Sequence, residues 1–290
     1  VLILYRDVTG NLPAVKVYSR GELQTAIYPL KEFSAARAMD IWAVTALPNG
    51  GIALSGVLDF GNGKTNLAIL SYSKDGSLKK LWDMQVRHTT AMAADSEGNI
   101  YTFGQPVDIA DDPNSSFMLL AKYSPAGQLL REFLPRSRFS STAHVASIDP
   151  SKGQTRLSVW KNFLVAYVAN AEQVLWFDKE GQLSKSVDLT PILNQLKIRF
   201  RGESTEVNQF YVKENGDYVL QIKVRSPRST IASKSLRTLS VDIPTEGGAW
   251  SGTYRNSKGT LVGLTSEGQL LELLVEKGRP AILASYTQLR

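Results

Sequence analysis

An all-β repeat fold is what this sequence predicts, on three observations. Polar turns carrying Gly, such as Asp95-Ser96-Glu97-Gly98 and Pro125-Ala126-Gly127, recur along the chain. Short runs rich in aromatic and β-branched residues separate them, as strands require. Equivalent turns fall about fifty residues apart, in the window where repeats build propellers or solenoids. A closed ring of sheets also lets 290 residues form one domain without a linker, and no Gly/Ser-rich or Pro-rich linker interrupts them. The expected architecture is therefore a six-bladed β-propeller with four-stranded antiparallel blades, residues 1–290 forming a single domain.

In chain order, Val1–Tyr5, Ala14–Tyr18 and Leu23–Leu30 read as a partial blade lacking a first strand. That is expected where N- and C-terminal segments complete one sheet and close the ring. Asp40–Leu47, Ile52–Val57, Leu67–Tyr72 and Ser77–Trp82 form the next unit, with turns at Pro48-Asn49-Gly50-Gly51 and Lys74-Asp75-Gly76. Asn99–Phe103, Phe117–Tyr123 and Gln128–Phe133 are the clearest repeat. The following unit opens at either Asp149–Gly153 or Lys161-Asn162. The second choice pairs Thr155–Trp160 with Phe163–Val168, continues through Val174–Phe177 and Gln182–Val187, and leaves Arg136–Gln154 as an excursion. Val207–Val212, Asp217–Val224 and Leu236–Ile243 follow. Ala249–Tyr254, Thr260–Leu264, Gly268–Val275 and Pro280–Tyr286 make the last copy. Leu30–Ala38 and Leu189–Leu196 read as short helices between blades, the latter with Thr190 as N-cap and Pro191 in the first helical position.

Composition removes several classes of function. With no cysteine, disulfides, thiolate catalysis and Cys-ligated metal centres are excluded. No apolar run approaches the roughly 18 residues of a membrane span. No nucleophile elbow, P-loop, dinucleotide fingerprint or H-E-x-x-H helix occurs. Thirty-three Lys and Arg against 27 Asp and Glu give a net charge of +6, which biases encounter toward anions. The first residue is Val1 rather than Met, so an N-terminal segment removed before this point is expected, and a periplasmic or secreted location is favoured over a cytoplasmic one.

The pattern of a polar Gly turn leading to Asn-Ile-Tyr, then a strand ending in Tyr-Ser-x-x-Gly, resembles the NHL repeat and related six-bladed propellers. Asp95-Ser96-Glu97-Gly98-Asn99-Ile100-Tyr101 with Lys122-Tyr123-Ser124-Pro125-Ala126-Gly127 carries it best. Tyr72-Ser73-Lys74-Asp75-Gly76 and Phe177-Asp178-Lys179-Glu180-Gly181 follow. The resemblance covers most of the chain as architecture, and its motif residues form turns and packing, so it transfers no functional residue. The chain departs from the usual repeat in its long loops and in lacking consistently placed Asp and Arg there.

Chemistry is expected on the loops held by the rigid sheets. Turns at Gly51, Gly76, Gly98, Gly127, Gly181, Gly216 and Gly259 are short and share one face, so the long loops belong to the other. Those loops carry Arg37, Arg87, His88, Arg136, Arg138, His144, Arg199 and Arg201, with Lys197, Arg225 and Arg228 adding to the charge. A mouth lined by such groups would bind carboxylate or phosphate. The competing reading is a solvated surface pairing with Glu203, Glu206 and Asp40. The acidic loop with Asp108, Asp111 and Asp112 lacks the EF-hand Gly and Glu, and reads as solvated. The five tryptophans read as packing between blades.

The expected function is non-enzymatic: a binding or scaffolding propeller that engages a protein segment or a small anion, as a monomer and without cofactor or metal. A lyase or hydrolase using His88 or His144 as base is the first alternative, and an RNA-binding NHL-like domain the second. The second would need more exposed aromatics or a stronger basic excess, so nucleic acid is not an expected partner.

Overall fold

In the computed structural model, residues 2–4, 7–9, 14–19, 22–83, 87–106, 116–139, 155–200, 204–225, 236–245, 254–257, 260–264, 270–274 and 282–286 are described. The chain divides into two compact units, 1–159 with 178–182, and 160–177 with 183–290. Apart from two helices and short 3₁₀ turns, the described elements are strands, and every sheet is antiparallel. The all-β expectation of meandering antiparallel sheets holds: three of the six described sheets have four strands, two have three and one has five.

In the first unit, β1 (Leu2–Leu4), β3 (Val15–Ser19) and β4 (Glu22–Ile27) form a three-stranded sheet. Between them β2 (Asp7–Thr9) leaves to pair with β5 (Ala38–Ala46). The second sheet continues through β6 (Ile52–Gly61), β7 (Lys64–Tyr72) and β8 (Leu78–Asp83). The third contains β9 (Arg87–Ala94), β10 (Ile100–Pro106), β11 (Met118–Tyr123) and β12 (Leu129–Pro135). A single helical turn, α1 (Pro29–Glu32), precedes β5, shorter than the expected 30–38 because the chain turns again where Ala36 N–H donates to Phe33 O.

The remaining sheets are β13 (Arg156–Trp160) to β16 in order, β17 to β20 in order, and the three-stranded β21 to β23. Here β14 is Phe163–Val168, β15 Gln173–Phe177 and β16 Leu183–Asp188. Next, α2 (Thr190–Arg199) precedes β17 (Ser204–Val212), β18 (Tyr218–Arg225), β19 (Leu236–Ile243) and β20 (Tyr254–Ser257). The last sheet contains β21 (Thr260–Leu264), β22 (Leu270–Leu274) and β23 (Ile282–Tyr286).

Four sequence-based placements change. First, β9 precedes the repeat unit that sequence had begun at Asn99, so Arg87 and His88 belong to a strand rather than a loop. Second, β6 and β7 run on to a two-residue Asn62-Gly63 turn, and β14 reaches β15 through one 3₁₀ turn, so the second and third strands of these two sheets are not joined by long loops. An Asn-Gly pair with both φ positive (54° and 74°) has the twist a tight hairpin needs. Third, Tyr254–Ser257 pairs with β19 as the fourth strand of the preceding sheet instead of ending the first strand of the last one. Fourth, α2 begins one residue early: Leu189 is the cap, and Asp188 Oδ1 accepts from Thr190 N–H at 2.9 Å. Pro191 fits the first turn, where its missing donor costs nothing.

Strands buried on both faces explain why their sequences read as apolar runs rather than alternations. Along β6, Ile52, Leu54 and Leu58 pack with Val15, Ile27, Ile41 and Leu70 on one side. Ala53 packs with Ile69, Met92, Ile100 and Tyr123 on the other. In the second unit, Ile192, Leu193 and Leu196 of α2 and the Phe200 that caps it join Tyr167, Trp176, Phe210 and Tyr218.

A latch recurs within the units. The turn before a sheet's last strand packs onto the last strand of the sheet before it. Thr25 Oγ1 of β4 donates to Asp75 O. On β8, Lys80 Nζ donates to Pro125 O at 2.9 Å, and a Cβ built on Gly127 would lie 2.2 Å from Trp82 Cδ1. Phe133 of β12 faces Gly181 in the same way. In the second unit Lys185 Nζ of β16 donates to Thr245 O at 2.7 Å.

Candidate functional site

The expected site residues whose side chains are described collect at one end of the second and third sheets. Strands β5 and β9 start at that end and lie alongside each other, and β6, β10 and β12 finish there. The turns at 47–51, 73–77, 95–99 and 124–128 lie at the opposite end, where Gly98 approaches both Pro48 and Pro125. Those turns are closed internally by their own side chains. Asp95 alone accepts from Glu97 N–H, Asn99 N–H, Asn99 Nδ2 and Tyr101 O–H, and Asp75 accepts from Ser73 Oγ and Ser77 N–H.

At the strand-end face, four arginines divide into two kinds. Arg87 is buried and crosses its whole sheet: its guanidinium donates to Gly104 O on β10 and to Met118 O and Leu119 O on β11 before meeting the Glu132 carboxylate on β12. It is a girder with its hydrogen-bonding capacity committed inward. Arg136 is also buried, its guanidinium 5.3 Å from the Phe117 ring centre and its backbone N–H bonded to Phe117 O. Arg37 and Arg138 are exposed. The Arg37 guanidinium lies over Gly61, where a Cβ would stand 2.4 Å from Cζ, and the Arg37 backbone N–H donates to Asp59 O at 2.7 Å. Gly61 is itself held by the Asp59 carboxylate, which accepts its N–H at 2.7 Å.

His88 is half-buried edge-on to Trp42, with ring centres 3.7 Å apart, and Trp42 Nε1 donates to Asp40 Oδ2 at 2.9 Å. Burial pulls the His88 pKa down to about 4 against the opposing pull of the Asp40 charge, so the ring is neutral near pH 7. A neutral imidazole there packs against the Trp42 ring. Among the described residues, no group of three or more His, Cys, Asp or Glu side chains is placed to hold a metal ion.

Of the other expected site residues, Arg199 ends α2 in the second unit, and its side chain lies outside the described residues, as do His144 and Arg201. The acidic loop 107–115 also lies outside them, as do Lys197's side chain, Arg225's side chain and Arg228. Sequence reasoning missed the Asp40–Trp42–His88 cluster and the Arg87–Glu132 pair. A signal for the first existed in the i, i+2 spacing of Asp40 and Trp42, which puts both side chains on one face of a strand. For the second there was none, since Arg87 and Glu132 are joined only by the meander of the sheet.

No family model matches the chain, and no curated protein matches it. Solved structures similar to it include the β-propeller domain of the Trilobed protease from Pyrococcus furiosus, at 10% identity and TM-score 0.43, covering 86% of this chain and 69% of that one. A luciferin-regenerating enzyme matches at 12% identity and TM-score 0.43 over 86% and 75% of the two chains. A protein of unknown function from Bacteroides caccae matches at 13% identity and TM-score 0.38 over 89% and 93%. At these scores their activities do not bear on this chain.

Proposed function

We propose that residues 1–290 form one six-bladed β-propeller of the NHL-like kind, closed by its terminal segments, that binds a small anion or an acidic protein segment at the strand-end face without catalysis. The observation that carries the reading is the division of labour among the arginines. Arg87 and Arg136 are buried within the first unit, and Arg37 and Arg138 project from the same end into solvent. Cations presented by a rigid scaffold lose little freedom on binding. Each charge-assisted hydrogen bond contributes about 1.5–3 kcal/mol, so a ligand that engages both arginines would bind with micromolar to millimolar affinity after association costs.

His88 supports this reading over the hydrolytic one. A general base works best with a pKa near the operating pH, and a group held at about 4 is a weak acceptor of protons from substrate. The test is a panel of inorganic phosphate, dicarboxylates and an acidic peptide, read by thermal shift with and without chelator. Wild type should be stabilised by an anion regardless of chelator, and Arg37→Ala/Arg138→Ala should lose the shift. Equal shifts in both proteins, or a shift only with divalent metal, would refute the proposal.

A further inference from the structure

The chain contains three Asn-Gly pairs, Asn49-Gly50, Asn62-Gly63 and Asn215-Gly216, and the structure treats them differently. Asn49 Oδ1 accepts Gly51 N–H at 2.9 Å, and Gly50 N–H donates to Leu47 O at 3.0 Å. Asn215 Oδ1 accepts Asp217 N–H, Asn215 Nδ2 donates to Asp217 Oδ2 at 2.7 Å, and Gly216 N–H donates to Lys213 O at 2.9 Å. In both pairs the carboxamide and the following N–H are engaged. Asn62 and Gly63 are exposed at the tip of the β6–β7 hairpin, and among the described residues neither the Asn62 carboxamide nor the Gly63 N–H has a hydrogen-bond partner. A Cβ on Gly63 would meet nothing within 4 Å, so the space around the reacting atoms is open.

We propose that Asn62 is a site of spontaneous deamidation in the folded protein, and that Asn49 and Asn215 are protected. Gly63 N, after losing its proton to water, attacks Asn62 Cγ. The bond from Cγ to the side-chain nitrogen breaks and ammonia leaves, forming a cyclic imide. Water then opens the imide at either carbonyl, giving aspartate or isoaspartate. The balance is one water consumed and one ammonia released, with no redox partner. In the other two pairs the attacking nitrogen keeps its proton in a hydrogen bond, and the carboxamide must first leave its own. The product places a carboxylate one residue from Gly61, over which the Arg37 guanidinium lies, so the modification lowers the positive charge of the strand-end face.

The experiment is incubation of the full folded chain at mildly alkaline pH, followed by peptide mapping with mass spectrometry and isoaspartate detection. Asn62 should convert roughly tenfold faster than Asn49 and Asn215, since each of those must first break at least two hydrogen bonds and each bond slows the reaction by about two- to twelvefold. Asn62→Gln should abolish the fast phase and leave the slow sites unchanged. Conversion of Asn49 or Asn215 at a comparable rate, or retention of the Asn62 carboxamide for as long as theirs, would overturn the assignment. This readout is independent of anion binding, so it stands or falls apart from the proposed ligand site.

Discussion

At the residue scale, His88 and Arg87 stood side by side in sequence as two exposed basic groups, and the fold gives them other work. Pattern reading could not separate them because Arg87's partners come from three other strands. For His88 the folded pKa, about 4, lies below the ordinary value near 6.5. The unfolded chain therefore binds more protons between those values, and His88's contribution is present above about pH 6.5 and lost as pH falls toward 4. The loss is of order 2 kcal/mol after allowing for partial solvent exposure. Urea unfolding should show that fall in wild type and a flatter profile in His88→Asn; parallel profiles would exclude His88 as the cause. Arg87→Met should cost about 2–4 kcal/mol, because it leaves the carbonyls of Gly104, Met118 and Leu119 without their donor. A change within experimental error would show that the girder carries no stability.

At the element scale, much was legible. Strand positions followed from turn chemistry, because Asx-type turns close several of the hairpins: Asp95, Asp178 and Asn215 all accept backbone N–H groups just after them in sequence. Hairpin length was legible only in part. Gly61-Asn62-Gly63 sat in plain view, but three polar residues between apolar runs read equally as the start of a long loop. The latches were invisible, since contact of one sheet's turn with the preceding sheet's last strand has no local signature. Gly127 tests them: its φ is +87° and Trp82 occupies the space of a Cβ. Gly127→Ala should cost about 1–3 kcal/mol. Adding Trp82→Ala should give less than the sum of the two single costs, because the clash is then gone. Strict additivity in the double-mutant cycle would mean that the turn does not bear on Trp82.

At the scale of the molecule, the period of about fifty residues was enough to reach repeated antiparallel sheets, and the described strands of the two termini pair within sheets of their own. Ring closure by those termini is part of the proposal, and it predicts that deleting Val1–Tyr5 or the tail from Ser285 lowers the thermal midpoint by several degrees, since ~1 kcal/mol shifts a large domain by about 2–4 °C. Unchanged midpoints for both deletions would place the closure elsewhere. The binding face is tested most directly by hydrogen–deuterium exchange of the intact chain with and without a saturating acidic peptide. Protection concentrated at residues 37–40, 59–64 and 134–139, with the turns at 47–51, 73–77 and 95–99 unchanged, is the predicted result. Protection confined to those turns, or none at the strand ends while the peptide is bound, would contradict the account.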